Sequence, residues 1–229
     1  MKKKKFIVLI TGLILSAPLW AGIEVVTFDA EEDAYVDSIQ IDATFNNEQL
    51  HIQGFDNDPF PGSDVASDQR SFLKFDVSSL EGKTVVGAYF GVYVDDYSDH
   101  TAPSAQLYYL DNDGWNEDTI TWTSSQPIIA TAAAVGIGQQ LNSNRYYEWT
   151  LYKKDSGFED FWEDSDILDG FAGYMLTISN EEINNYAYFS SSGYANQPYL
   201  RIEYIPEPAT LFLLGLGTLF LQKTRSENR

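Results

Sequence analysis

Between residues 34 and 204 the chain is written in short runs of β-branched and aromatic residues, separated by clusters of Asp, Asn, Ser and Gly, and apolar stripes at a 3.6-residue period are scarce. That rhythm confines it to sheet, because side chains alternate across a strand and a short strand buries one alternating set. Strands are expected at 34–39, 50–55, 71–77, 85–94, 105–110, 146–151, 173–178, 187–190 and 199–204. Their number and spacing predict an all-β fold, a jelly-roll β-sandwich. In Leu73, Phe75, Val77 and in Ala88, Phe90, Val92, Val94 one alternating set is wholly apolar and is assigned to the core. Phe72, Lys74, Asp76 and Tyr89, Gly91, Tyr93 are then expected to face outward. Trp122 and Trp149 stand inside apolar blocks and are also assigned to the core. One short helix is expected at 157–167, where Phe158, Phe161, Trp162 and Ser165 recur at three- and four-residue steps, closing one end of the sandwich.

The two ends follow a different logic. Lys2 to Lys5 precede the apolar run 6–15, and small residues surround Ala17 and Ala21, the order of a secretory signal peptide that signal peptidase is expected to cleave after Ala21. At the far end come Pro206, Glu207 and Pro208, then the apolar stretch 209–221, then Lys223, Arg225 and Arg229. Thirteen helical residues reach only about 20 Å, short of a hydrocarbon core of about 30 Å. This tripartite tail resembles the PEP-CTERM sorting signal of Gram-negative bacteria that make extracellular polysaccharide. The resemblance implies a hydrophobic sorting helix, transient association with the inner membrane, and processing near the Pro-Glu-Pro motif by an exosortase. The expected organisation is therefore 1–21 signal peptide, 22–205 β-sandwich domain and 206–229 sorting signal.

Charge and cysteine content narrow the function. The chain has no cysteine, which removes disulfides, thiolate nucleophiles and cysteine-ligated metals. Losing both ends leaves 32 acids against seven bases in 22–205, a charge near −25. Nucleic acid is excluded as a default partner, because binding a phosphate backbone rests on Lys and Arg. An anionic polysaccharide is repelled as well unless a divalent cation intervenes.

The blocks Gln69-Arg70-Ser71-Phe72-Leu73-Lys74-Phe75-Asp76-Val77, Ala88-Tyr89-Phe90-Gly91-Val92-Tyr93, Trp115-Asn116-Glu117-Asp118-Thr119-Ile120-Thr121-Trp122 and Pro198-Tyr199-Leu200-Arg201-Ile202-Glu203-Tyr204 follow one another in that order. They resemble the successive blocks of DNRLRE domains, which are related to the carbohydrate-binding modules first described for alginate. The resemblance spans about 29–205 and implies a jelly-roll sandwich with an ancillary, non-catalytic role outside the cell.

Three chemistries are open to the residues. Asp56, Asn57 and Asp58 with Asp64 and Asp68, and separately Asp111, Asn112, Asp113 and Gly114, place hard oxygen donors on loops, and calcium is the cation that suits such donors. The alternative is that Asp and Asn in turns bond their own backbones. A third arrangement sets Glu31, Glu32 or Asp33 on the first strand against Glu203 on the last, around one calcium ion. For sugar, outward rings pack on C–H surfaces while polar neighbours fix hydroxyls. Tyr93 and Tyr108 are expected on nearby strands with Tyr97, His100 and Trp115 on adjoining loops; ordinary cross-strand packing is the competing account. Trp115 and Glu117 are expected to brace a strand corner. Paired carboxylates suit glycoside cleavage, but so many acids make any one pair uninformative, and the GxSxG and HExxH patterns are absent. The chain thus reads as a secreted, non-catalytic protein of the extracellular matrix or cell surface, binding extracellular polysaccharide through a calcium-stabilised sandwich. The alternatives are a structural matrix protein without a sugar site and, less favoured, a lyase or hydrolase.

Overall fold

The computed structural model describes residues 22–46, 49–54, 68–97, 103–154, 169–178 and 185–206. Twelve strands and one α-helix fall among them: β1 Glu24–Asp29, β2 Glu32–Asp37, β3 Phe45–Asn46, β4 Leu50–Gln53, β5 Gln69–Asp76, β6 Thr84–Tyr97, β7 Ser104–Leu110, α1 Trp122–Ile129, β8 Ala133–Gln140, β9 Arg145–Lys153, β10 Phe171–Ile178, β11 Tyr186–Phe189 and β12 Tyr199–Ile205. Every pairing is antiparallel, and hydrogen bonding runs β1-β12-β6-β11-β4-β5-β10-β7-β8. β9 pairs with the other edge of β6, and β2 joins β5 with β3 beyond it. The ladder curls into two facing layers, one built on β1-β12-β6-β9 and the other on β2-β5-β10-β7-β8, joined through β11 and β4.

The two apolar alternating sets meet between the layers. Leu73, Phe75, Val77, Ala88, Phe90, Val92 and Val94 have no exposure at all. Phe90 of β6 lies 6.0 Å from Phe75 of β5 and 5.4 Å from Tyr174 of β10, and Trp149 of β9 packs 6.1 Å from it. Each such ring pair adds about 0.5–1.5 kcal/mol beyond the area it buries. Trp149 is in this core, whereas Trp122 is half-buried outside it.

Two expectations change. Phe72 and Lys74 are not outward in the sense of exposed: Phe72 is fully buried and Lys74 nearly so. The β7–β8 connection lies over their side of β5, and Trp115, Ile120 and Ile128 form a second apolar cluster there with Ala34, Val36, Phe72, Leu110 and Met175. That cover includes α1, which the sequence pattern does not announce. Thr121 caps it by accepting from the Ser124 N–H, while the Ser124 hydroxyl accepts from the Thr121 N–H. A Ser rather than Glu or Gln completes that box, and Pro127 sits inside the helix, so both cues read as turn. The expected helix at 157–167 and the C-terminal sorting helix lie outside the described residues.

Candidate functional site

The two outer faces of the sandwich differ. Beneath the β7–β8 connection the Lys74 ammonium donates to the Trp115 carbonyl (2.7 Å) and pairs with Glu32 (3.0 Å). The Asp33 N–H donates to the Glu117 carboxylate (3.1 Å), and the Glu117 N–H donates to the Glu32 carboxylate (3.2 Å). Trp115 and Glu117 thus tie the connection to β2 and β5 and close that face. Burial pushes the Asp33 carboxyl up to about 6; the Ser192 N–H and hydroxyl hold it lower, and the charge of Glu117 adds to the rise.

The outer face of the β1-β12-β6-β9 layer carries no such cover among the described residues. Register fixes its rows, since residues paired across antiparallel strands share a side. Thr27, Arg201, Tyr89 and Thr150 form one row; Asp29, Tyr199, Gly91 and Glu148 form the next; Tyr93 and Tyr146 follow. Gly91 has no side chain and the Tyr199 ring lies down over it: a β-carbon there would sit 2.7 Å from Cε2 and nearer still to Cζ and Cε1. Lying flat, Tyr199 donates from its hydroxyl to Glu148 (3.1 Å) and brings its ring centroid 5.7 Å from that of Tyr146. Tyr146 in turn stands edge to face with Tyr93 at 5.1 Å and keeps 42% of its surface exposed.

A charged clamp borders these rings. Arg201 donates to both oxygens of Glu148 (2.9 and 3.3 Å) and to Glu203 (2.9 Å), and its guanidinium lies 3.9 Å over the Tyr89 ring. Burial works against the charge on Arg201, but hydrogen bonds and charges from Glu148 and Glu203 outweigh it and raise the pKa further. The Tyr199 phenol is pushed up to about 12, first by burial and then by the charge and hydrogen bond of Glu148. Burial likewise raises Tyr146, helped by Tyr93 and Asp29. The phenols therefore remain neutral hydrogen-bonding groups across any physiological pH.

The sequence candidates scatter over this frame. Tyr93 lies in the open face, but Tyr108 does not join it. The chain crosses between layers after β6, so β7 pairs with β10 and β8, and Tyr108 stands beside Met175 and Ala134. It lines a cavity of about 220 Å³ with Asp68, Arg70 and Thr177 on the covered side. There Arg70 pairs with Asp68 (2.7 Å) and lies 4.9 Å over the Trp122 ring. Tyr97 is at the far end of β6, half-buried against the core. His100, Asp56, Asp58 and Asp64 lie outside the described residues.

At the second acidic loop Asp111 is exposed, and the Asn112 side chain accepts from the Gly114 N–H (3.1 Å), the turn reading of that loop. Burial raises the Asp113 pKa, and Asp169 adds to it. Glu203 is engaged by Arg201, Glu32 and Asp33 face Lys74, Glu117 and Ser192, and Glu31 is exposed. Among the described residues no three acids or imidazoles gather as a metal-ligand set. Tyr146, Glu148 and Tyr199 were not singled out as site residues by the sequence pattern, whereas Arg201 was, with Arg70 and Lys74, as a cation that could neutralise a uronate. Gly91 between two outward tyrosines was the available signal, because a glycine inside a strand marks the close approach of another group.

The description of carbohydrate-binding module family 96 matches residues 24–155, from β1 to just past β9. The chain belongs to that family. The module's Tyr89, Gly91, Tyr93, Tyr146 and Glu148 fall within the matched stretch, whereas Tyr199 and Arg201 of β12 lie beyond it. The PEP-CTERM protein-sorting motif matches residues 205–225, which marks the module for export to the surface or exterior of a Gram-negative cell. Comparison with curated proteins returned no match. Among solved structures, one titled "Structure of infectious bursal disease virus Gt strain" aligns at 12% identity and a TM-score of 0.21, covering 80% of this chain and 38% of that one. The chain thus spans little more than a third of that viral chain's length.

Proposed function

We propose that the protein is a secreted, non-catalytic module that binds extracellular polysaccharide on the open face of the β1-β12-β6-β9 layer. The observation that carries this reading is the contrast between the two outer faces. One is closed by Trp115, Glu117 and Lys74; the other presents Tyr93, Tyr146 and Tyr199 beside hydrogen-bonding groups of Glu148 and Arg201. Rings held by neighbours offer apolar surface to sugar C–H groups with little entropy to lose, and the adjoining polar groups orient hydroxyls.

The signal peptide ends at Ala21 and the exosortase acts at Pro206, Glu207 and Pro208, so that 22–205 works in the matrix or at the cell surface. A calcium ion held by Asp56, Asp58 and Asp64 completes the reading; three carboxylates with backbone carbonyls suit its preference for six to eight oxygen ligands. Asp111 and Asp113 are the second candidate donor pair for such an ion; the Asn112 oxygen between them accepts from the Gly114 N–H.

Affinity electrophoresis of the full chain through gels containing single polysaccharides tests the binding claim. Retardation in at least one gel is expected, and Tyr146→Ala, an exposed residue outside the core, is expected to weaken it about tenfold. Equal mobility in every gel overturns it.

A further inference from the structure

The open face continues past Tyr93. Phe189 of β11 pairs with Val94 of β6, and both are fully buried in the core. Tyr188 and Ser190, on either side of Phe189, therefore project to the same outer side as Tyr93. The Ser190 N–H donates to the Tyr93 carbonyl (3.1 Å), and its hydroxyl donates to Asp95 (2.8 Å), which also accepts from the Gln49 amide (3.1 Å). Tyr188 lies two residues from Ser190, about 7 Å along the strand at roughly 3.4 Å per residue, and there a second row of rings begins.

In that row Tyr186 and Tyr188 are 5.0 Å apart, and Tyr188 lies 4.3 Å from His51 on the paired strand β4. His51 stacks on Tyr35 at 4.4 Å with 12° between planes, and Tyr35 stacks on Phe45 at 4.4 Å with 13°. Tyr35 is buried and holds the row in place; His51, Tyr186, Tyr188 and Phe45 are half-buried. One sheet face thus carries two ring groups, and between them, where the β6–β11 register shifts, Gln49 and Asp95 are half-buried and hydrogen-bonded over a buried Ser190.

We infer that this face is a track for an extended glycan chain, with Tyr93, Tyr146 and Tyr199 as one subsite and His51, Tyr186 and Tyr188 as a second, and that the chain it takes carries no carboxylates. The inference rests on the binding reading above and deepens it. A polymer that reaches both groups makes the second contact intramolecular, so each group multiplies the effect of the other. The absence of carboxylates follows from charge: Arg201, the cation of the first group, is already engaged by Glu148 and Glu203. Asp29, Asp95 and Asp96 add further negative charge along the way. Among the described residues the other cation of this face is Lys153, in the row of Glu203 and Gly87, so a uronate laid here meets Asp29, Asp95, Asp96, Glu148 and Glu203 against only Arg201 and Lys153.

The test uses the full chain, with chelator present, in gels containing hydroxyethyl cellulose, mixed-linkage β-glucan, dextran or sodium alginate. Retardation is expected in a neutral gel and not in alginate. Tyr146→Ala and Tyr188→Ala are each expected to weaken retention of the polymer about tenfold, and the pair about a hundredfold. A trisaccharide of the same glycan is expected to respond to only one of the two changes. If Tyr188→Ala retains polymer like the parent while Tyr146→Ala loses it, the track is overturned and binding at the first group stands. Stronger, salt-sensitive retardation in alginate overturns the carboxylate-free ligand. No retardation in any gel overturns the binding reading and the track together. Should Tyr188→Ala melt early, Tyr186→Ala, whose ring ends the row, is read in its place with the same expected loss, and an unchanged affinity overturns the second subsite.

Discussion

Replacing Gly91 with alanine tests the packing that builds the open face. The new β-carbon enters the space of the Tyr199 ring, lying 2.7 Å from Cε2 and closer to two other ring atoms. Backbone on both sides is sheet, so the ring is what yields. Lifting it breaks the hydrogen bond to Glu148 (3.1 Å) and the contact with Tyr146 (5.7 Å). A half-exposed hydrogen bond contributes about 1 kcal/mol and a ring pair about 0.5–1.5. Alanine returns roughly 0.5 kcal/mol by restricting the unfolded chain. The net cost is about 1–2 kcal/mol, which lowers Tm by about 3–6 °C for a domain of this size. Thermal unfolding of Gly91→Ala, Tyr199→Ala and the double variant isolates the mechanism as a double-mutant cycle. With the ring absent, Gly91→Ala is expected to be neutral or slightly stabilising. An equal cost of Gly91→Ala in both backgrounds refutes the steric account. Glycan retention read on the same variants is expected to fall with the single change, because the displaced ring no longer presents its face.

Other predictions follow from the covered face and the loops. Lys74→Ala leaves the Glu32 carboxylate and the Trp115 carbonyl without their partner and is expected to cost about 2–4 kcal/mol in a denaturant titration; a loss below about 0.5 kcal/mol shows that the clamp is not needed. For Asp33 the folded carboxyl is raised from 3.8 to about 6, so the folded state binds more protons than the unfolded between those values. Stability from this group is therefore fully present below about pH 4 and is lost as pH rises through about 6, by up to about 3 kcal/mol. Asp33→Asn is expected to flatten that part of the pH–stability curve, and a curve parallel to the parent contradicts it. With calcium at a hundredfold its dissociation constant, the melt is expected to gain about 2.7 kcal/mol. That gain is expected to vanish with chelator or in Asp56→Ala/Asp58→Ala, and an unchanged melt on chelation removes calcium from the proposal.

Much of the body was legible from alternation. The core sets on β5 and β6 are buried as the pattern requires, because a period of two decides which residues share a side wherever a strand forms. β1, β3 and β8 escaped notice: β1 runs largely exposed along its sheet edge, β3 has only two residues, and β8 is rich in Ala and Gly, so none shows a strong apolar alternation. At the candidate site the sequence singled out Tyr93 and the outward set Tyr89, Gly91, Tyr93, and then paired Tyr93 with the wrong neighbour. Tyr108 follows it closely in the chain, yet Tyr146 and Tyr199, far along the sequence, are the residues that reach it.

The order of residues by itself determined the class of secondary structure, the side of each strand that faces inward, and the acidic balance of the body, since all three depend on neighbours one or two positions away or on simple composition. Strand partners and the choice of which outer face is covered were decided only by the tertiary structure. Those depend on hydrogen bonds between segments far apart in the chain, such as β6 with β9 and β12, and on where the β7–β8 connection folds down. Local alternation reads the same whichever strand lies alongside, so it records that a face is outward without recording what else comes to rest on it.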